Sequence, residues 1–180
     1  MIFNRLKFGY QISDLEFDRV FPVGIQRLSE RHWTPVQIAQ KAAKLLVKDE
    51  NSKVLDIGSG VGKFCLIGAA TTGAKFIGIE QRKSLVDITR SIIRDYKLPR
   101  IEIFNSNIRS FNFKQYDAFY FFNPFYENLE PSSRIDSKIP LSITLYKSYY
   151  FFVKKLLEGR PLGSKVVTYY GFNSQIPISY

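Results

Sequence analysis

The chain has 180 residues, the size of a single domain, and its composition of 45% hydrophobic and 23% charged residues argues against disorder. One cysteine and one histidine exclude an internal disulfide and argue against a zinc site, and no stretch is apolar for long enough to predict a membrane span or a signal peptide, so we expect a cytoplasmic protein. The net charge of +10 favours an acidic or polyanionic partner, but it is spread along the chain and leaves protein and nucleic acid both open.

Residues 1–34 show no sustained hydrophobic period, and we expect short helices or an irregular lid there. A helix over about 35–48 follows, because apolar residues recur at helical spacing in "TPVQIAQKAAKLLVK". Thr34 is suited to cap this helix, with Pro35 at its first position. The pattern predicts one domain, made of an N-terminal extension and a core over residues 35–180.

From residue 53 onward, strand and helix patterns alternate. The predicted strands are "KVLDIG", "AKFIGIE", "RIEIFNSNI", "YDAFYFFN" and "SKVVTYYGF". The helical patterns between them are "VGKFCLIGAATTG", "QRKSLVDITRSIIRDYKL" and "ITLYKSYYFFVKKLLEG". This alternation predicts an α/β fold with a doubly wound, mainly parallel sheet and helices on both faces. In such folds the ligand binds beyond the carboxyl ends of the strands.

The first predicted strand runs into a glycine loop, "VLDIGSGVGKF", that follows Asp56. Glycine allows positive φ angles and close approach of a ligand to the backbone. The loop departs from a dinucleotide fingerprint, because Lys63 stands where that motif has its third glycine. Glu80 ends the second predicted strand, where a carboxylate can accept hydrogen bonds from both hydroxyls of a ribose. An adenosine-like ligand is indicated; glycines that form only a tight turn, and a solvated Glu80, are the competing interpretations.

With these features the chain resembles the class I S-adenosylmethionine-dependent methyltransferases over roughly residues 34–172. The resemblance implies a Rossmann-like fold and S-adenosylmethionine as cofactor, with its methionine part at the glycine loop, its ribose on Glu80 and its adenine near "NSNI". Many family members have Asp at the position of Asn107, whose amide oxygen can still accept from adenine; a turn-forming asparagine is the other interpretation. The cofactor-binding residues implied by the resemblance are Thr34, Pro35, Asp56, Gly58, Ser59, Gly60, Gly62, Glu80, Gln81, Asn107, Ile108 and Asn123.

The segment Asn123, Pro124, Phe125 and Tyr126 is similar to the [Asp/Asn]-Pro-Pro-[Tyr/Phe] motif of methyltransferases that act on planar amino groups. The resemblance implies that Asn123 accepts a hydrogen bond from the amino group, that Pro124 stiffens the loop, and that Phe125 or Tyr126 contacts the substrate. Phe125 replaces the second proline of the motif, which leaves open which aromatic ring stacks. "HWTPVQIA" resembles the Thr-Pro element before the first core helix of these enzymes, so Thr34 either contacts the cofactor or only caps the helix.

The leading hypothesis is an S-adenosylmethionine-dependent methyltransferase that acts on an amino nitrogen of a protein or nucleic acid. "GSGVG" and "GIE" also resemble the non-SET lysine methyltransferases of nucleosomal histone, so protein lysine is one option. A non-catalytic basic Rossmann-like binding module for nucleic acid or a protein partner is the alternative, and a nicotinamide oxidoreductase is third. Only "NSQIPISY" follows Phe172, so we expect a sheet without the last antiparallel strands of the family, or a truncated chain.

Overall fold

A five-stranded parallel sheet forms the centre of the structure, a computed structural model that describes residues 1–116, 118–170 and 176–177. The order of the strands across the sheet is β3-β2-β1-β4-β5, and every neighbouring pair is parallel. Alternate side chains of each central strand face opposite sides of the sheet, and both sides are apolar, as expected of buried parallel strands. The strands are β1 (Lys53–Ile57), β2 (Lys75–Glu80), β3 (Ile101–Asn105), β4 (Ala118–Phe121) and β5 (Lys165–Thr168).

Helices cover both faces of the sheet. One face packs against three helices and contributes Val54, Phe76 and Tyr120 to their apolar cluster. The other face contributes Leu55 and Phe119 to a second cluster with the long helix between β4 and β5. The helices of the first face are α5 (Val36–Leu46), α6 (Lys63–Thr72) and α7 (Lys83–Asp95), and that of the second face is α8 (Ile143–Glu158).

The winding of the chain changes direction between β1 and β4. The strands β2 and β3 lie on one side of β1, and β4 and β5 lie on the other. Ile57 at the end of β1 pairs in register with Ile79 of β2 and Phe121 of β4. The carboxyl ends of these strands are therefore level, which brings Glu80 and Asn123 to the edge where the glycine loop begins. Ligands bind at such a switch point in open α/β sheets.

Residues 1–34 pack onto the core. Phe17 and other apolar side chains of this segment are buried in the same cluster as α5 and α6. Lys63, at the start of α6, is 2% exposed, and its Nζ lies 2.7 Å from both Asp14 Oδ1 and Asp18 Oδ1. The same Nζ donates to Ser29 Oγ at 2.9 Å. The segment contains a 3-10 helix at Asp18–Val20 and the short helices α1 (Ile2–Lys7), α2 (Asp14–Phe17), α3 (Val23–Gln26) and α4 (Ser29–His32).

The start of α5 differs from the prediction. Pro35 has the extended backbone of a capping residue, and the helix begins at Val36. The amide of Val36 donates to Asp14 Oδ1 at 2.9 Å, while Thr34 Oγ1 lies 3.0 Å from the Tyr120 hydroxyl. The prediction of Thr34 as cap was wrong because the buried Tyr120 hydroxyl takes its side chain as a partner, and Asp14 supplies the cap from elsewhere in the sequence.

The predicted doubly wound parallel sheet with helices on both faces is confirmed. Residue 117 in the predicted fourth strand, residues 171–172 in the fifth, and 173–175 and 178–180 beyond it lie outside the described residues. The expected lack of further antiparallel strands therefore stays a prediction. Within the described ranges, the structure contains no helix of the length and apolarity needed to cross a membrane.

Candidate active site

A cavity of about 320 Å³ opens at the carboxyl edge of the sheet. Its volume is at the lower end of the range that accommodates small ligands. Polar and apolar groups both contribute to its walls, and they come from the ends of β1, β2 and β4, from the residues after β3, from α8 and from the N-terminal segment. The lining residues are Glu30, Arg31, His32, Trp33, Ile57, Gly58, Gly60, Ile79, Glu80, Gln81, Arg82, Ser106, Asn107, Ile108, Phe122, Asn123, Pro124, Phe125, Tyr126, Glu127, Asn128, Ser133, Ile135, Ile139, Leu141, Tyr149 and Tyr170.

The glycine loop after β1 is enclosed on two sides. Gly58 and Gly60 have φ angles of +75° and +55°, in the left-handed region that favours glycine. A Cβ atom on Gly58 would lie 2.4 Å from Pro124 Cβ, and one on Gly60 would lie 2.3 Å from the Trp33 ring. Glycine is thus required at both positions for two reasons. The backbone has a positive φ angle, and a side chain would collide with Pro124 or Trp33. The contact at Gly58 joins the predicted cofactor loop to the predicted acceptor segment.

Glu80 is held by two backbone amides. Its Oε2 accepts from the Gly60 amide at 3.1 Å, and its Oε1 accepts from the Arg82 amide at 2.8 Å. Burial raises the pKa of Glu80, while these two amides and the Arg82 guanidinium act in the opposite direction. A carboxylate offers about four acceptor positions, so this buried group keeps acceptor capacity for a ligand in the cavity.

Asn107 forms a turn, as one of its two interpretations predicts, and also lines the cavity; the adenine contact stays a prediction. Its Oδ1 accepts from the Arg109 amide at 3.0 Å and caps the 3-10 helix Ile108–Ser110. Because a backbone amide can only donate, this bond fixes the orientation of the side chain. The Nδ2 of Asn107 donates to Tyr149 Oη at 2.7 Å and to Gln81 Oε1 at 3.2 Å. Asn107 is therefore a turn residue and also a wall of the cavity.

The segment after β4 turns at Asn123, whose φ of +38° lies in the left-handed region that asparagine tolerates better than most residues. Within the part of the chain that the structure describes, its side-chain amide makes no hydrogen bond. Phe125 is buried and packs on Tyr149 with ring centroids 4.9 Å apart. Tyr126 is 43% exposed and also lines the cavity. The two aromatic rings thus differ: Phe125 is a fixed wall, and Tyr126 is accessible from solvent.

Asp56, at the start of the glycine motif, is buried, and its surroundings disfavour the charged form of its carboxyl. Burial raises its pKa to about 8, against the hydrogen bond that Cys65 Sγ donates at 3.6 Å, and the nearby Glu80 raises it further. The carboxyl is therefore largely protonated at neutral pH. The carboxyl contacts Cys65 of α6 inside the fold, and Asp56 does not belong to the described residues that line the cavity.

Ten of the fifteen predicted site residues line the cavity, and the structure brings them together from four regions of the chain. These ten are Gly58, Gly60, Glu80, Gln81, Asn107, Ile108, Asn123, Pro124, Phe125 and Tyr126. The described lining does not include Thr34, Pro35, Asp56, Ser59 or Gly62. Thr34, Asp56 and Ser59 are buried instead.

Sequence reasoning missed the charged residues of the cavity other than Glu80. Arg82 is 4% exposed, and its guanidinium pairs with Glu127 and with Asp136. Arg31 lines the same cavity and donates to Ser133 Oγ at 2.6 Å. No periodicity or motif marks these contacts, which join residues far apart in the sequence; the proximity of Arg82 to Glu80 was the one available signal.

His32 and Trp33 both line the cavity. Burial lowers the pKa of His32, Glu127 raises it, and the neighbouring arginines Arg31 and Arg82 lower it. The imidazole is therefore largely neutral at pH 7. Trp33 is buried in the apolar core as well as packed on Gly60, so it covers the site and also stabilises the fold.

The fold is shared with solved structures of different activities. An RNA methyltransferase from Salinibacter ruber, solved with S-adenosyl-L-homocysteine, matches with a TM-score of 0.54 and 20% identity, over 75% of this chain and 75% of that one. The [4+2]-cyclase SpnF matches with a TM-score of 0.56 and 18% identity, over 74% of this chain and 43% of its own. TrmN from Thermus thermophilus matches with a TM-score of 0.55 and 16% identity, over 79% of this chain and 40% of the TrmN chain. This chain thus spans less than half the length of SpnF and TrmN. At these identities the likeness shows the fold alone.

The predicted class, a Rossmann-like methyltransferase, is confirmed by a sequence model of the family protein-L-isoaspartate(D-aspartate) O-methyltransferase, PCMT, which matches residues 17–119. Because the match spans more than half of the chain, the chain belongs to this family. No curated protein sequence matches it. The matched stretch contains the glycine loop and Glu80 but ends before Asn123. The family match therefore covers the predicted cofactor side of the cavity, which is the glycine loop and Glu80. It does not cover the predicted acceptor side, which begins at Asn123.

Proposed function

We propose that this protein binds S-adenosylmethionine in the cavity and transfers its methyl group to an amino nitrogen of a protein or nucleic acid. One contact carries the proposal: Pro124 lies against Gly58, so the acceptor segment borders the loop that would hold the cofactor. The family match supports the methyltransferase class, and the cofactor product bound to the Salinibacter ruber enzyme supports the choice of cofactor.

The residues of the cavity fit an adenosine-bearing cofactor. Glu80 would hold the ribose hydroxyls with the acceptor positions that its two amide bonds leave. Gly58 and Gly60 would border the methionine part, and Asn107 with Ile108 would border the adenine. When bound, the cofactor supplies a methyl group on a positively charged sulfur.

The acceptor side supplies position and hydrogen bonds. The amide oxygen of Asn123 can accept from a target amino group, since its side chain has no partner among the described residues. Pro124 stiffens the backbone next to the turn, and the buried Phe125 fixes that backbone against Tyr149. Holding the nitrogen in line at close distance is the main contribution expected of these groups, because orientation alone accounts for much of such catalysis.

Methyl transfer to a carboxylate oxygen is the second candidate, and the O-methyltransferase description of the family favours it. The charges of the cavity argue for the amino acceptor. Three glutamates but only two arginines belong to the described lining, and Arg82 is already paired with two carboxylates. A carboxylate substrate would meet net negative charge with one arginine, Arg31, to offset it.

Cofactor binding can be measured through Trp33, the only tryptophan of the chain, because its ring packs on Gly60 at the cavity. Titration with S-adenosyl-L-homocysteine should give a saturable change in tryptophan fluorescence and a matching calorimetric isotherm. NAD is the matched control, since the loop departs from the dinucleotide fingerprint at Lys63. The absence of any response to S-adenosyl-L-homocysteine would contradict the proposal.

The acceptor atom can be identified by its chemistry. Tritiated S-adenosylmethionine is incubated with separate protein, RNA, DNA and small-molecule pools of a cell lysate, and the labelled pool is then treated with mild alkali. A methyl ester on a carboxylate is hydrolysed and releases volatile methanol, whereas an N-methyl group stays bound. Release of the label supports the carboxylate, whereas retention excludes a methyl ester and is the result expected of an amino acceptor.

Two variants of Asn123 test its role. Asn123→Gly keeps the left-handed turn without strain but removes the amide, so transfer should fall roughly 100-fold with cofactor affinity unchanged. Asn123→Asp keeps an oxygen acceptor and should retain most activity toward an amino group, but it should block a carboxylate substrate by charge repulsion. The control is Asn51→Ala, an exposed residue in the turn before β1. Unchanged turnover in Asn123→Gly would show that the assignment is wrong.

A further inference from the structure

The segment of residues 126–141 begins at the last residue of the acceptor motif and is held to the fold by polar contacts and by Ile135, which packs against the apolar cluster of the first face. Its regular structure consists of two 3-10 helices, Tyr126–Asn128 and Pro131–Ser133. Tyr126 and Leu129 are 43% and 40% exposed, so they add little apolar anchoring. Such a segment opens at low free-energy cost unless specific contacts hold it. The contacts of Arg82 are of this kind.

Arg82 binds two carboxylates of this segment from the end of β2. Its Nη1 and Nη2 donate to the two oxygens of Glu127, at 3.1 and 2.7 Å, and its Nε donates to Asp136 Oδ1 at 3.0 Å. Glu127 Oε2 also accepts from the Ile135 amide at 2.9 Å. The Arg82 side chain is 3% exposed, so this bidentate pair is shielded from water. The three contacts fix residues 127 and 136 of the segment to a single side chain.

The backbone of the same residue is bonded to the predicted ribose carboxylate. The Arg82 amide donates to Glu80 Oε1 at 2.8 Å, so the carboxylate that would face the cofactor and the guanidinium that holds the acceptor segment belong to one short stretch of chain. We propose that Arg82 is a positioning residue that holds residues 126–141 over the cavity and couples their order to occupation of the cofactor site. This inference rests on the proposed function for the identity of the cofactor.

Amide hydrogen exchange of the full chain tests the inference, with and without S-adenosyl-L-homocysteine as the probe. In Arg82→Gln, peptides that cover residues 126–141 should exchange roughly tenfold faster than in the wild type, because two carboxylates lose a buried partner. Peptides of β1 and β2 should keep their protection. Arg82→Lys should restore part of the protection, since an ammonium keeps the charge but not the bidentate geometry.

The coupling is tested by the ligand. S-Adenosyl-L-homocysteine should slow exchange over residues 126–141 in the wild type, and this slowing should be lost in Arg82→Gln although the variant still binds the ligand by calorimetry. If Arg82 only stabilised the fold, S-adenosyl-L-homocysteine would still slow exchange over residues 126–141 in Arg82→Gln. The matched control is Lys83→Gln, which removes the adjacent exposed ion pair with Asp87 and should change neither result.

Equal exchange over residues 126–141 in the wild type and in Arg82→Gln would overturn the inference, as would ligand-dependent slowing that survives in the variant. If Arg82→Gln does not fold, Glu127→Gln serves instead, since it weakens the bidentate pair and leaves Asp136 in place; it should accelerate exchange in the same peptides to a smaller extent. Failure of the wild type to bind S-adenosyl-L-homocysteine would contradict the proposed function. The ligand-free comparison would still test whether Arg82 holds residues 126–141 in place.

Discussion

The two sides of the cavity are held in place by different forces. On the cofactor side, the glycine loop follows a fully buried strand, and its backbone is enclosed by Trp33 and Pro124. On the predicted acceptor side, Glu127 and Asp136 pair with the buried guanidinium of Arg82. The glycine loop is thus positioned mainly by apolar contacts and backbone conformation, whereas several contacts of residues 126–141 come from charged side chains.

The family match follows the same division. The PCMT model covers residues 17–119, which include the first three strands and the first half of β4, and it stops before Asn123. The predicted cofactor site and the predicted acceptor segment thus lie on separate stretches of the chain, and the family match includes only the first. If the assignment holds, the acceptor can differ between proteins that share the cofactor site.

The largest expected effect tests how residues 1–34 are anchored to the start of α6, the helix that follows the glycine loop. Lys63→Met should lower the free energy of unfolding by about 3 kcal/mol or more, because it leaves Asp18 buried without its partner. Lys83→Met, which removes the exposed pair with Asp87, should change it by about 0.5 kcal/mol or less. Urea denaturation followed by circular dichroism measures both. Similar losses in the two variants would mean that the Lys63 contacts do not anchor residues 1–34 to α6.

The sequence predicts which loops form the cavity better than it predicts the charged contacts that hold residues 126–141. The glycines, Glu80 and the alternating apolar strands are local signals, and each has a direct structural meaning. The contacts of Arg82 are different, since Glu127 lies 45 positions further along the chain and no spacing rule connects the two. The predicted cap of α5 was wrong for the same reason, because Asp14, which accepts from the Val36 amide, lies 22 positions away in the sequence.

A smaller effect separates contact from backbone strain in the glycine loop. Gly58 and Gly73 share a φ of +75°, but only Gly58 faces a neighbour, whereas nothing lies within 4 Å of a Cβ atom on Gly73. Gly73→Ala should cost about 1 to 2 kcal/mol from strain alone. Gly58→Ala should cost about 1 to 3 kcal/mol more, because the new methyl group collides with Pro124.

Thermal unfolding of both variants, together with calorimetry for S-adenosyl-L-homocysteine, measures the difference. Gly58→Ala should also weaken ligand binding, because Gly58 lines the cavity, and Gly73→Ala should leave it intact. If the two variants lose the same stability, the loop can move away from Pro124. The two sides of the cavity would then be less tightly joined than their contact indicates.

The smallest expected change in stability concerns the two aromatic residues of the acceptor segment. Tyr126→Leu should alter the free energy of unfolding by about 0.5 kcal/mol or less, because the ring is 43% exposed, whereas Phe125→Leu should cost about 1 kcal/mol through lost packing on Tyr149.

Activity should respond to the same two substitutions in the opposite order. A planar acceptor that stacks on Tyr126 would show a KM raised roughly fivefold or more in Tyr126→Leu, with Tyr126→Phe near the wild type because the ring is kept. Thermal unfolding and KM for the labelled acceptor pool measure both quantities. A raised KM in Phe125→Leu with an unchanged KM in Tyr126→Leu would assign the stacking to the buried ring, and the exposed tyrosine would then have no part in acceptor binding.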